Sequence, residues 1–395
     1  MTAAAALAST AAIRERCGNI AAAVSAGDSA HFRIDRSRFA PTARLVADVT
    51  RRRYPDLAIP YHSRWRHFEA GGVDRKAELD RALAGRSVAD RARAQVDLTV
   101  VSVLLDAGAG AAWSYVEPGT NQRHARSEGL GVASFRAFME GAFSSDPREP
   151  LRVDGAGLAR LDAVSVARLV QAGAANPLVG VEHRAQLLRR LGAELGAAGR
   201  PSIVFDDLVG AGAPAGVSAD ALLRTLLARF NAIWLTGQTL DGEPLGDVWP
   251  HRHAGGSGAT AGRVPFHKLT QWLAYSLFEP FEWAGVTIAE PDALTPLPEY
   301  RNGGLLLDSG VLVLADPAAS RAVHAVGSEL VVEWRALTVA LLEELAPLIR
   351  AELGRPGLPL ACLLEGGTWV AGRELAQQLR GGEPPLKIAS DGTVF

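Results

Sequence analysis

The chain has 395 residues, 48% hydrophobic and 21% charged, which is enough apolar material to bury a large core and close to ordinary globular composition. A formal net charge of −2 and a pI near 6.5 supply no global attraction to a polynucleotide or an anionic membrane, which disfavours a nucleic-acid partner. No run approaches the roughly 18 apolar residues a membrane span needs; the N-terminus lacks the basic flank and apolar core of a secretory signal, so the cytoplasm is the expected location.

Helical periodicity dominates the chain. Ile13, Cys17, Ile20 and Val24 recur at 4-3-4 spacing, which places them on one face of a helix ending near Gly27. A second helix follows Pro41, turns Leu45, Val46 and Val49 inward and stops before Pro55. Ser87 and Asp90 read as a capping box for a helix that is apolar nearly all round from Val96 to Leu105, and therefore central. Further helices are predicted near 127–142, 180–196, 218–234, 266–278 and 328–353, with Ser218 and Ser328 as N-caps and Gly354 as a C-terminal stop. Strand signals are short and few: Pro201–Phe205, Val286–Ile288 and Gly310–Ala315. Without βαβ alternation, a Rossmann-type sheet is disfavoured.

The expected fold class is mainly α with a few short strands: one compact domain over 1–395, with 1–150 and 151–395 as the alternative sub-domains. The Gly/Ser/Ala/Thr-rich stretch from Ala254 to Gly262 reads either as a mobile loop bordering a site or as an exposed loop of no consequence. Cys17 and Cys362 lie far apart and belong to no C-x-x-C or Cys/His cluster, so both read as buried small hydrophobes.

The generic catalytic motifs are missing. There is no G-x-G-x-x-G after a strand, no G-x-x-x-x-G-K-[ST], no H-E-x-x-H and no G-x-S-x-G, so dinucleotide, nucleoside-triphosphate, zincin and α/β-hydrolase chemistry lose their support. Four polar and aromatic segments remain. In the first, Tyr61, His62, Arg64, Trp65, Arg66 and His67 crowd potential cations beside aromatic rings, a mixture that suits a sugar phosphate or an ordinary Arg/Trp surface corner. In the second, Arg126 and Glu128 open a helix, where Glu128 favours the dipole.

The third segment holds Asp247, Trp249, His251 and His253. His251 and His253 lack a third metal ligand, whereas Asp247 beside an aromatic wall is expected to have a raised pKa and to serve as an acid. In the fourth, Glu299, Arg301 and Asp308 set two carboxylates around a guanidinium, with Gly303 and Gly304 allowing close backbone approach; the bland reading is an ion-pair hub.

At these residues the chain resembles the uracil catabolism protein 4 family. The resemblance runs through YHSRWRHF (61–68), VDLTVVSVLLDAGAG (96–110), RSEGL (126–130), NPLVG (176–180), LGDVWPH (245–251), PFHKLTQWL (265–273), PEYRNGGLLLDSGVL (298–312), VGSELVVEWRALTV (326–339) and SDGTVF (390–395). That family is linked to a non-reductive uracil pathway that opens the ring and releases urea. A weaker resemblance, through Gln271-x-Leu273, Glu299-Tyr300-Arg301, Gly310-Val311-Leu312 and Glu329 to Arg335, is to the queuosine 5′-phosphate N-glycosylase family. It implies a helical hydrolase distantly akin to helix-hairpin-helix DNA glycosylases. Glu299 then stands where that family has the Asp of a D-Y-R motif, and a second family carboxylate falls near Ser276.

Together the resemblances imply hydrolysis of the C1′–N bond of ribosylurea or its 5′-phosphate. Glu299, Asp247 and Asp308 are the candidate catalytic carboxylates; Tyr61, His62, Arg64, Trp65, Arg66, His67, Arg126, Glu128, Trp249, His251 and Arg301 are the candidate substrate contacts. The partner is a small nucleoside-derived molecule, and this chemistry calls for neither metal nor organic cofactor. The alternatives are an amidohydrolase acting on a ring-opened ureido intermediate and a non-catalytic metabolite-binding protein.

Overall fold

The computed structural model describes residues 2–106, 108–110, 112–210 and 216–389. The SDGTVF segment therefore lies outside the described residues. Most of the predicted helices form. Helix α1 (Thr10–Ala26) buries Ile13, Cys17, Ile20 and Val24 on one face and is closed by Gly27 at φ 91°, a left-handed conformation that glycine adopts without a Cβ penalty. Helix α2 is Phe39–Arg53, and α3 (Val88–Leu104) starts on Ser87, whose side chain accepts from the Asp90 N–H while its hydroxyl donates to the Asp90 carboxylate. Helices α4 (Arg126–Met139), α5 (Val181–Leu195), α6 (Ala219–Phe230) and α7 (Lys268–Trp283) follow. After these come α8 (Tyr300–Asp308), α9 (Glu329–Leu353) and α10 (Trp369–Arg380).

Two expectations need correction. Pro201–Phe205 is not a strand: a helix spans Ile203–Val209 and stops at Gly210. A short apolar run carries no period long enough to separate the two states, and its Val204 and Phe205 are buried from a helix. Ser328 stands at the N-cap of α9, but its side chain makes no capping bond. Ser218, by contrast, accepts from the Ala221 N–H as expected.

Among the described residues every sheet has two strands. Phe32–Ile34 pairs antiparallel with Leu312–Leu314, Val248–Pro250 antiparallel with Arg263–Pro265, and Gly216–Ser218 parallel with Thr287–Ala289. The architecture is mainly α.

The chain divides into two units, each discontinuous in sequence, and neither ends near residue 150. The first comprises Met1–His62, Gln238–Gln271 and Glu290–Ala389. In it α9 packs on α1 and α2, and α8 packs on α10. Both cysteines are buried there without a disulfide, and burial pushes the Cys17 thiol far up, so it behaves as an inert apolar group. The second unit contains Ser63–Gly237 and Trp272–Ala289, with α4 against α3 and a core that includes Trp113, Tyr115, Leu130 and Val132.

The α8–α10 contact depends on Gly372, where a Cβ would run into the backbone carbonyl of Arg301. Gly372→Ala should therefore lower stability by about 1–3 kcal/mol through overpacking, measurable as a reduced midpoint in urea. An unchanged midpoint would show that the two helices can separate at no cost.

Candidate functional site

In the first unit, the segment after Pro298 is a helix start. Glu299 occupies the N-cap of α8 with extended backbone, its carboxylate accepting the N–H of Arg301 (2.8 Å) and of Asn302 (2.6 Å). Glutamate is not among the favoured N-cap residues, but an anion at a helix N-terminus is electrostatically favourable, and two amide donors fix its direction. Glu299 is 8% exposed.

Arg301 does not bridge the two carboxylates of the segment. Its guanidinium lies over Trp369, 4.7 Å from Cζ to the ring centroid, and beside Tyr300 at 5.1 Å. Asp308 sits nine residues beyond Glu299, about 13 Å along a helix, and is bound by Arg380 (2.5 Å). Asp308 is an ion-pair member at the far end of α8, so the proposed gathering of Glu299, Arg301 and Asp308 is not formed.

What gathers around Glu299 and Arg301 is a different set. Trp369 stands 5.8 Å from the His62 ring, and His62 Nδ1 lies 2.8 Å from Glu365. Glu365 belongs to a π-helical turn, Leu364–Thr368, just before α10. Gly366 and Gly367 let that turn lie against Ile59, Val46 and Thr50, where a Cβ would be crowded. Thr368 donates to Asn302 Oδ1 (2.8 Å), and Asn302 Nδ2 donates to the Leu297 carbonyl (3.1 Å). A circuit of contacts thus runs from Glu299 through Asn302 and Thr368 to the π turn, and back through Glu365, His62, Trp369 and Arg301. His62 and Glu365 are both 7% exposed, whereas Tyr61, Tyr300 and Trp369 are half-buried. Such turns recur at functional sites because the widened helix re-aims its side chains. Glu365, Thr368 and Trp369 were not legible beforehand; a glutamate followed by Gly-Gly-Thr-Trp was the available signal.

Asp247 overturns the expectation of a raised pKa. Burial does pull its carboxyl upward, but Arg335 binds both oxygens (2.9 and 2.7 Å), the Lys268 N–H donates at 3.0 Å and the Trp249 indole at 2.7 Å, and together these hold it below the ordinary Asp range. It stays ionised and is not a proton donor. Trp249 serves this carboxylate through its N–H. His251 Nε2 lies 3.2 Å from the buried Glu333, which also accepts from Ser29.

The basic segment behaves otherwise than predicted as well. Apart from Tyr61 and His62 it belongs to the second unit, where Arg64 is fully buried and donates to Ser102 (2.6 Å), Asp106 (2.5 Å) and the Ser127 carbonyl (3.1 Å), with His67 Nδ1 at 2.9 Å. Arg66 bonds Glu279 (2.6 Å) and Glu69 (2.8 Å). Trp65, 1% exposed, donates to the Ser276 carbonyl and packs against Phe68 and Trp283, so its ring is a core element and offers no face to a ribose. Arg126 opens α4 at φ 54°, and Glu128 adds a negative charge near Arg64. Ser276 accepts from the Arg64 N–H (2.9 Å). The buried carboxylate of that helix is Glu279, less than a turn further on, which burial raises against the opposing effect of Arg66 and a bond from Ser63.

Among the described residues no three His, Cys, Asp or Glu side chains converge as a metal-ligand set. Fold and clusters together define a mainly helical protein whose polar groups meet as carboxylate–imidazole and carboxylate–guanidinium pairs among aromatic rings. The chain belongs to the family described as "Protein of unknown function (DUF1688)", whose pattern matches residues 6–395. It is 39% identical over 411 residues to "Uracil catabolism protein 4" of Lachancea kluyveri, covering 93% of each chain. It is 40% identical over 384 residues to "Protein urg3" of Schizosaccharomyces pombe, covering 92% of each.

Asp247→Asn should cost about 3–5 kcal/mol, because it leaves the Arg335 cation buried without its charge partner. The pH dependence carries the same signature: a carboxyl depressed on folding contributes stability at neutral pH, and that contribution drains away as pH falls below about 4. Acid titrations of the wild type and the Asn variant should converge at low pH; curves that stay parallel would remove the pair from the stability account.

Proposed function

We propose that this protein acts in uracil catabolism as an N-glycoside hydrolase, cleaving the C1′–N bond of ribosylurea or its 5′-phosphate. Two supports are independent: the name of one relative, "Uracil catabolism protein 4", and the circuit joining Glu299, Arg301, Trp369, His62 and Glu365. The second carries the reading. Cleavage of an N-glycosidic bond needs a fixed negative charge against an oxocarbenium-like sugar and a proton for the departing nitrogen. Glu299, aimed by two backbone amides, supplies the charge. His62 supplies the proton: Glu365 holds Nδ1 and so orients the ring, as a carboxylate does in acid–His pairs, and Nε2 is the nitrogen directed away from it. The bonding pair leaves with the urea nitrogen, which takes that proton, while water adds to C1′ and returns a proton to His62. The donor role assigned to Asp247 passes to His62, since Asp247 is held ionised by Arg335.

Glu299→Gln tests the reading. The amide keeps one acceptor for the α8 N–H groups, so stability should fall by about 1 kcal/mol. Loss of the charge should slow urea release, followed with urease, on the order of 10²–10³-fold. If Glu299 is a cap and nothing more, the melting temperature falls and the rate of the folded protein stays as it was. Wild-type protein that frees no urea from either substrate form would overturn the hydrolase assignment itself.

A further inference from the structure

The segment Ala254 to Gly262, in the first unit, joins the paired strands Val248–Pro250 and Arg263–Pro265. It is closed by hydrogen bonds from the His251 N–H to the Gly262 carbonyl (2.9 Å) and from the Gly262 N–H to the Gly255 carbonyl (2.8 Å). Gly255, Gly256, Gly258 and Gly262 all have positive φ, which only glycine adopts freely. Asn19 of α1 donates to the Ala254 carbonyl (2.9 Å), and the loop lies so close to α1 that a Cβ on Gly256 would overlap the Arg16 guanidinium.

Arg16 has two buried guanidinium nitrogens without a hydrogen-bond partner among the described residues. It is 6% exposed, its Nη2 reaches Thr260 Oγ1 only at 3.4 Å, and its Nε lies 3.6 Å from the exposed carboxylate of Glu15, beyond hydrogen-bond range. The two unpartnered nitrogens are Nε and Nη1. Arg75 and Arg335, also buried, are each gripped by both oxygens of a carboxylate. Buried polar groups are nearly always bonded, and an unmet donor is costly. The main-chain N–H groups of the exposed residues Gly255, Gly256 and Ser257 donate to no group among the described residues and are open to solvent. Thr260 Oγ1 donates to the Ser257 carbonyl (3.0 Å), which leaves the guanidinium, the successive glycine amides and the Ser257 hydroxyl as a donor set of the kind that holds a phosphate in glycine-rich loops.

We propose that Arg16 and the loop from Gly255 to Thr260 form a binding site for a phosphate group, either a phosphomonoester on a small sugar or inorganic phosphate. The site fills the unmet donors of Arg16 and takes over the phosphate role that the burial of Arg64 removes from the basic segment. It does not rest on the hydrolase reading, because a phosphate binds here whatever bond is cleaved.

Calorimetric titration and melting curves with ribose 5-phosphate and with inorganic phosphate, against sodium chloride at matched ionic strength, test it without any activity assay. At least one phosphate should bind and raise the melting temperature of the wild type. A tighter ester identifies a phosphorylated metabolite as the ligand, and equal or tighter inorganic phosphate identifies the free anion. Arg16→Gln should fold, since it removes a buried charge with unmet donors, and should weaken binding roughly ten- to hundredfold. Arg16→Lys keeps the charge without the fork and should fall between the two; it stands in if the Gln variant fails to fold. The idea is overturned if neither phosphate exceeds the chloride control, or if the Arg16 variants bind as the wild type does.

Discussion

The first unit is organised by one buried ion pair. Asp247 accepts from both terminal nitrogens of the Arg335 guanidinium, from the Trp249 indole N–H and from the first amide of α7, while its carbonyl accepts from the N–H groups of Phe266 and His267. A hairpin, the start of one helix and the interior of the long helix α9 are thereby pinned at one point. Such a pair is weak evidence of net stability, because removing two charges from water costs about what their attraction returns, but it is demanding about geometry: any displacement leaves a charge unmet. The glycine loop and His251 hang from this hairpin, so their positions inherit that demand.

Around α8 the same atoms serve both architecture and chemistry. Glu299 ends the loop from Pro298 by capping α8, and the two amides that satisfy the helix also fix where the carboxylate points. Asn302 and Thr368 then tie that cap to the π turn, whose Gly366 and Gly367 permit close approach to α2. A widened turn gives up regular α hydrogen bonding, and here it directs Glu365 at His62. Preorganisation of this kind removes the reorganisation a flexible carboxylate would need when charge develops beside it.

Periodic features were legible in the sequence and partnerships were not. The face of Ile13, Cys17, Ile20 and Val24, the Ser87–Asp90 box and the Gly27 and Gly354 stops each depend on residues within a turn or two, and each forms. Asp247 was misread because its neighbour Trp249 was visible and its partner Arg335, 88 residues further on, was not. Arg64 and Arg66 looked like free cations for the same reason: Asp106, Ser102 and Glu279 are supplied by segments distant in sequence. Glu299 could be singled out from its surroundings of Pro, Gly and Arg, whereas Glu365 lies in an apolar stretch whose π turn has no periodic signature. Pro201–Phe205 failed because a short apolar run is equally compatible with either state.

The discontinuity of the first unit bears on how the chain is made. Helix α1 finds its packing partner α9 about 300 residues later, so at ~5–20 residues per second on a ribosome its apolar face stays uncovered for tens of seconds. Most of the second unit, Ser63–Gly237, is completed within that interval and can fold while the first unit is still waiting. Closure of the first unit therefore comes last and spans the greatest sequence separation, the kind of contact that slows folding and exposes apolar surface meanwhile. Residues 10–26 thus emerge with their apolar face bare long before either polar cluster of that unit exists.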